Sequence, residues 1–146
     1  MIISASRRTD IPAFYAEWFV KRLQAGFVLV RNPLNFHQVS HIPLVPKDIE
    51  CLVFWTKNPA PIIDKLTELD DLGYHYYFLF TLNPYDSSIE VNVPAVDERI
   101  RTFQTLAERV GCDRVLWRYD PILFTDRYTP AFHIAAFAGL ATRLAG

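Results

Sequence analysis

Short apolar runs that break off into polar groups and then give way to helical spacing repeat along this chain. Ile2 to Ala5 leads into Ser6 to Pro12, and Phe27 to Val30 leads into Arg31, Asn32 and Pro33. Cys51 to Trp55 is followed by Thr56, Lys57, Asn58 and Pro59. Tyr77 to Phe80 is followed by Thr81 to Pro84, and Val115 to Trp117 by Arg118 to Pro121. Each apolar run reads as a buried strand. Asn or Asp beside Pro then reads as a turn or a helix start, because these side chains cap free N–H groups and Pro suits the first helical turn.

Between the runs the apolar residues recur at helical spacing. Asp10 caps a predicted helix carrying Ile11, Phe14, Tyr15, Trp18, Phe19 and Leu23, which Gly26 ends. A second helix presents Ile62, Leu66 and Leu69 and stops at Gly73. A third carries Val96, Ile100, Phe103, Ala107 and Val110 and stops at Gly111. The last starts at Thr129 and Pro130 and runs through Phe132, Phe137, Leu140 and Leu144, with Gly146 where its cap would be. Residues 34–50 lose this regularity: His37 to Leu44 suggests an added extended ribbon, and Pro46 to Ile49 a single helical turn. The polar connection from Tyr85 to Val93 exceeds the usual length of a strand-to-helix loop, and function concentrates in such loops.

Alternating strands and helices predict an α/β fold with a mainly parallel sheet. The strands are apolar throughout, as expected where helices cover the sheet. Two architectures fit, a partial (β/α) barrel of the TIM-barrel type and an open doubly wound sheet. The partial barrel is preferred because the sequence stops after a helix with no closing element. The 146 residues, 51% apolar and 14% aromatic, make one domain with an ample core. The expectation is a single domain, 1–146, forming the amino-terminal half of a longer barrel protein.

Charge narrows the partners. Fifteen Lys and Arg stand against sixteen Asp and Glu, so no global field draws the chain to nucleic acid or to a membrane surface. No apolar run is long enough for a membrane helix and the amino terminus lacks a signal pattern, so a cytoplasmic location is expected. Cys51 and Cys112 read as free core thiols rather than a disulfide or metal-ligand pair.

In either architecture the ligand site lies at the carboxyl ends of the strands. Those ends carry Arg7, Arg8, Asp10, Arg31, Asn32, Lys57, Asn58, Asn83, Arg118 and Asp120. Five cations on one rim of a nearly neutral chain favour an anionic small molecule: a carboxylate, a phosphate or a nucleotide. Asp10 and Asp120 would orient those cations or accept protons. A plainer reading makes Arg8 with Asp10, and Arg118 with Asp120, loop-holding ion pairs, and makes the Asn and Asp residues caps. Trp55, Tyr85, Trp117 and Tyr119 flank the rim and would either stack on a planar ligand or simply pack. His37 and His41 lack a third ligand, so no metal site is expected. There is no Gly-rich phosphate loop and no nucleophile elbow.

Taken in order, the segments Ser6 to Pro12, Arg31 to Pro33, Phe54 to Pro59 and Trp117 to Pro121 are more specific together than apart. They resemble the bacterial family described as domain of unknown function 1848, and the likeness covers essentially the whole chain. Members of that family look about twice as long, and their second half carries clustered cysteines similar to the iron–sulfur ligands of radical S-adenosylmethionine enzymes. The resemblance implies a barrel-like redox or radical enzyme. An iron–sulfur cluster and S-adenosylmethionine would belong to the longer protein. Cys51 and Cys112 lie too far apart to be the cluster motif, so no cofactor is expected for this chain alone. The rival readings are a non-catalytic phosphate- or nucleotide-binding module, and a half-barrel that self-associates or pairs with another chain through an exposed sheet edge.

Overall fold

A computed structural model describes residues 1–6 and 8–145. Arg7, expected on the rim, and Gly146, expected as a cap, lie outside the described residues. The first strand, β1 (Ile2–Ser4), is followed by a helix nucleus set by Asp10, whose Oδ1 accepts from the Ala13 N–H at 3.1 Å. The expected single helix is two: α1 (Ile11–Phe14) and α2 (Ala16–Ala25). The break falls at Tyr15, whose φ of −135° leaves the helical region while its carbonyl still accepts from Phe19. Gly26 closes α2 at φ 77°, a conformation open to glycine at no steric cost.

The run at Phe27 departs from the parallel pattern. Here β2 (Phe27–Arg31) pairs antiparallel with β3 (Val39–Pro43), from Phe27 opposite Pro43 to Arg31 opposite Val39. The two strands form a sheet of their own, so the Phe27 run is not a member of the parallel sheet. The physical reason is local. The ribbon satisfies the backbone groups of β2, and Asn32 locks the hairpin by donating from its backbone N–H to Gln38 O and from Nδ2 to Gln38 Oε1.

The main sheet contains β1, β4 (Cys51–Thr56), β5 (Tyr76–Thr81) and β6 (Val115–Arg118), parallel and in that spatial order. The connection from β4 holds α3 (Ala60–Ile63) and α4 (Leu66–Asp71), where the spacing of Ile62, Leu66 and Leu69 suggested one helix. Further on lie α5 (Val96–Val110) and α6 (Pro130–Ala145), both close to expectation.

The two faces of this sheet differ. Leu52 and Phe54 of β4, Tyr76, Phe78 and Phe80 of β5, and Val115 of β6 share one face and one core with side chains of α2, α3, α4, α5 and α6. Phe19 of α2 meets Phe54 edge-on at 5.6 Å, and Phe103 of α5 meets Phe80 at 5.4 Å. The opposite face carries Trp55, Leu79 and Leu116 in register across β4, β5 and β6. Ile2, Trp55 and Leu116 on that face are 65%, 41% and 46% exposed. A doubly wound sheet places helices on both faces. Within the described residues the helices that join the core pack on one face, and the other face is apolar and largely exposed, Val53 at its centre being buried. Among the described residues no helix is long and apolar enough to cross a membrane.

Candidate functional site

The carboxyl ends of β4, β5 and β6 carry five of the ten rim groups, Lys57, Asn58, Asn83, Arg118 and Asp120. Lys57, just past β4, forms an ion pair with Glu90 Oε1, a residue of the long connection between β5 and α5. The other carboxylate oxygen, Oε2, lies 3.0 Å from Arg99 Nη1 of α5. That contact is ionic rather than a directed hydrogen bond, since neither atom finds a partner along its hydrogen-bonding direction. Arg99 Nη2 donates to the backbone carbonyl of Asn83 at 3.1 Å. Glu90 is 7% exposed and Arg99 1%, so one carboxylate lies buried between two cations. Burial pulls the Arg99 pKa down, and the Glu90 charge works against that shift.

Asn83 is fully buried below this cluster rather than presented on the rim. Its Nδ2 donates to Asp120 O at 3.0 Å, joining the ends of β5 and β6, while its Oδ1 has no partner. Tyr85 ties the same two loops, donating to Pro121 O and accepting from the Leu123 N–H, both at 2.8 Å.

On the uncovered face, Arg118 ends β6 and lays its guanidinium 4.3 Å over the Trp55 ring of β4. Asp120 holds it from the side, Nη2 to Oδ2 at 2.8 Å. The expected pairing of Arg118 with Asp120 is therefore present. That of Arg8 with Asp10 is not: Arg8 Nη1 donates instead to Arg31 O at 2.7 Å. Asp10 Oδ2 is taken by the Lys57 backbone N–H at 2.8 Å, so this carboxylate both caps α1 and fixes the end of β4.

Burial raises the Asp10 pKa, against hydrogen bonds from Lys57, Thr56, Ala13 and Asn58 that favour the charged form. A carboxyl whose pKa is higher folded than unfolded stabilises the fold below the unfolded value of 3.8, and that stability is lost as pH rises through the folded value. Asp10→Asn removes this titration and leaves only a constant offset. Denaturant unfolding from pH 3 to 7 should show wild type losing stability relative to the variant as pH rises through the carboxylate range. A relative gain with rising pH would mean that the hydrogen bonds outweigh burial.

Other rim groups are engaged locally. Asn32 Oδ1 accepts from the Leu34 N–H at 2.9 Å and Asn58 Oδ1 from the Ala60 N–H at 3.2 Å, both holding turns. Among the aromatics, Trp117 donates to Leu82 O and stacks on Phe137, and Tyr119 packs edge-on against Trp117 and Phe137. Trp55 alone of the four presents an exposed ring. His41 stacks on Phe27, and His37 sits in the hairpin turn. Both cysteines are free, but neither is a core thiol: Cys112 is exposed and Cys51 half-buried outside the core. No group of three or more His, Cys, Asp or Glu among the described residues is placed to hold a metal ion.

Three residues outside the expected set organise this end of the molecule. Glu90 and Arg99 form the buried cluster, and their only sequence signal was the length of the loop that brings Glu90 inward. His133 of α6 is buried among Tyr85, Tyr119, Phe124, Tyr128 and Phe132. Its Nε2 lies 2.9 Å from Leu123 O, which can only accept, so in the neutral ring Nε2 carries the proton and Nδ1 accepts from the Tyr119 hydroxyl at 2.6 Å. A lone histidine on an apolar helix gave no reason to expect this.

The search of curated proteins and that of solved structures find no match to the chain. A protein-family model described as Domain of unknown function (DUF1848) matches residues 2–146. The motifs that carried the resemblance fall at the strand ends just described, and with nearly the whole chain matched, the protein belongs to this DUF1848 family.

Proposed function

We propose that this chain is the amino-terminal part of a (β/α)-barrel enzyme that binds a planar anionic ligand at the carboxyl ends of its strands. Parallel strands in chain order with helices on one face are how a barrel is built, and the uncovered apolar face would become its interior. The observation that carries the ligand reading is Arg118 stacked on Trp55 at the carboxyl end of that face. Together they offer a guanidinium fork for a carboxylate or phosphate beside an aromatic plane for a base. Asp120 fixes the guanidinium, and Lys57 adds a second cation at the end of β4.

The family resemblance implied an iron–sulfur cluster for the longer protein, and the described residues of this chain do not offer a ligand set for one. Cys51 begins β4 and Cys112 lies in the turn before β6, at the amino ends of the strands, and two thiols fall short of the usual four. A second reading, favoured by the exposure of Ile2 and Leu116, is that another polypeptide covers the open face.

The test is a fluorescence and thermal-shift titration of this chain with nucleotides and phosphates. Arg118→Ala and Trp55→Ala should each weaken binding about 10-fold or more, as expected for loss of a charge-assisted hydrogen bond or a stacking plane. Both side chains are partly exposed, so the melting temperature should hardly move. A panel that produces no shift, or variants that bind as wild type does, would overturn the reading.

A further inference from the structure

The charge inventory of the rim is uneven. Lys57 has Glu90 as its counter-ion and Arg118 has Asp120. Arg8 and Arg31 have no acidic partner within ion-pair distance among the described residues, although the Arg8 guanidinium reaches the Arg31 backbone carbonyl. Both residues line a cleft of about 400 Å³ between the end of β1 and the β2–β3 hairpin. Its walls include Thr9, Ile11, Trp18 and Val28. The cleft thus combines two cations lacking a counter-ion, an apolar interior and a partly exposed indole. Its volume is in the range of small-molecule sites.

From this juxtaposition we propose that the Arg8–Arg31 cleft is a binding subsite for a phosphate monoester with an apolar or aromatic body. Two guanidiniums match the near-dianionic charge of a phosphate monoester at pH 7, whereas a carboxylate would leave one of them uncompensated. No helix terminus substitutes for them, because α1 is a single turn and the Asp10 carboxylate already caps it. The cleft is lined by neither Trp55 nor Arg118, and three interstrand steps, roughly 14 Å at 4.7–4.9 Å each, separate β1 from the Arg118 strand β6, although Trp55 on β4 is only one step away. The proposal rests on the reading of the rim as an anion-binding surface, but it uses neither of those two residues.

Phenyl phosphate is the probe, with benzoate and inorganic phosphate as comparators, followed by phosphorus NMR and by tryptophan fluorescence. Phenyl phosphate should bind saturably, about 10-fold or more tighter than benzoate, a difference of about 1.4 kcal/mol. Arg31→Glu should weaken it at least about 10-fold with an unchanged melting temperature, since that side chain is exposed. Arg8→Lys, which keeps the charge and loses the fork, should weaken it less. Trp18→Phe should abolish the fluorescence change and Trp55→Phe should keep it. Benzoate binding as tightly, no saturable binding, or full binding in Arg31→Glu would each overturn the proposal. Binding lost in Arg118→Ala but kept in Arg31→Glu would overturn it too, while leaving the Trp55–Arg118 reading standing.

Discussion

Glu90→Gln should destabilise the protein by about 3–5 kcal/mol, the usual cost of removing one partner from a buried ion pair. The loss arises on the Arg99 side. Lys57 is partly exposed, so its ammonium turns to water when the carboxylate is gone. Arg99 is 1% exposed and keeps only its hydrogen bond to Asn83 O, so its charge stays in the interior with no counter-charge. For a chain of this size that corresponds to a fall in melting temperature of roughly 6–20 °C. The double variant Glu90→Leu with Arg99→Leu should recover much of the loss, because apolar residues of similar volume often replace a buried pair at little cost. Lys57→Met alone should cost less than about 1 kcal/mol, as partly exposed pairs do. Urea unfolding of the four proteins checks the order. A loss below about 1 kcal/mol in Glu90→Gln would show that Arg99 reaches solvent when its partner goes.

Such a cluster was not legible in the sequence, and the reason is general. Glu90 stands in a polar loop and Arg99 beside Ile100 on a helix, and nothing local says that the loop folds over the helix. The Arg118–Asp120 pair was legible because two residues two apart at one strand end are within reach of each other and meet when nothing else claims either side chain. Arg8 and Asp10 have the same spacing and do not meet. Asp10 answers the stronger local demand of free backbone N–H groups at the start of α1 and the end of β4, and Arg8 is left to the carbonyl of Arg31.

The fold divides the same way. Gly26, Gly73 and Gly111 all adopt positive φ where their helices stop, so these boundaries could be read from residue type alone. Gly139 sits inside α6 and marks no boundary. The four parallel strands fall on apolar runs, but β2 is as apolar as its neighbours and pairs elsewhere. Strand pairing depends on what lies alongside, which hydrophobicity does not encode. The preference for a partial barrel over an open doubly wound sheet rested on where the sequence stops. The geometry shows the coarser fact of a mainly parallel sheet in which core residues of β4, β5 and β6 alternate with Trp55, Leu79 and Leu116, which no described helix covers.

That asymmetry yields a second large effect, a contrast between two apolar residues of adjacent strands. Phe78→Ala should cost about 3–5 kcal/mol, since the ring is fully buried between Phe54 and Tyr76 and its removal leaves a cavity. Leu116→Lys, on the opposite face of β6, should change stability by no more than about 0.5 kcal/mol, as surface substitutions do. Urea unfolding measures both. Light scattering at rising concentration adds a readout of what the open face does. If it is a docking surface, wild type should associate and Leu116→Lys should remain monomeric at the same concentration, because a lysine cannot be buried there without a partner charge. A large stability loss in Leu116→Lys would mean that the face is covered within the chain, which would remove the basis for the proposed barrel interior. Near-neutral stability with reduced association is the outcome that an uncovered sheet face requires.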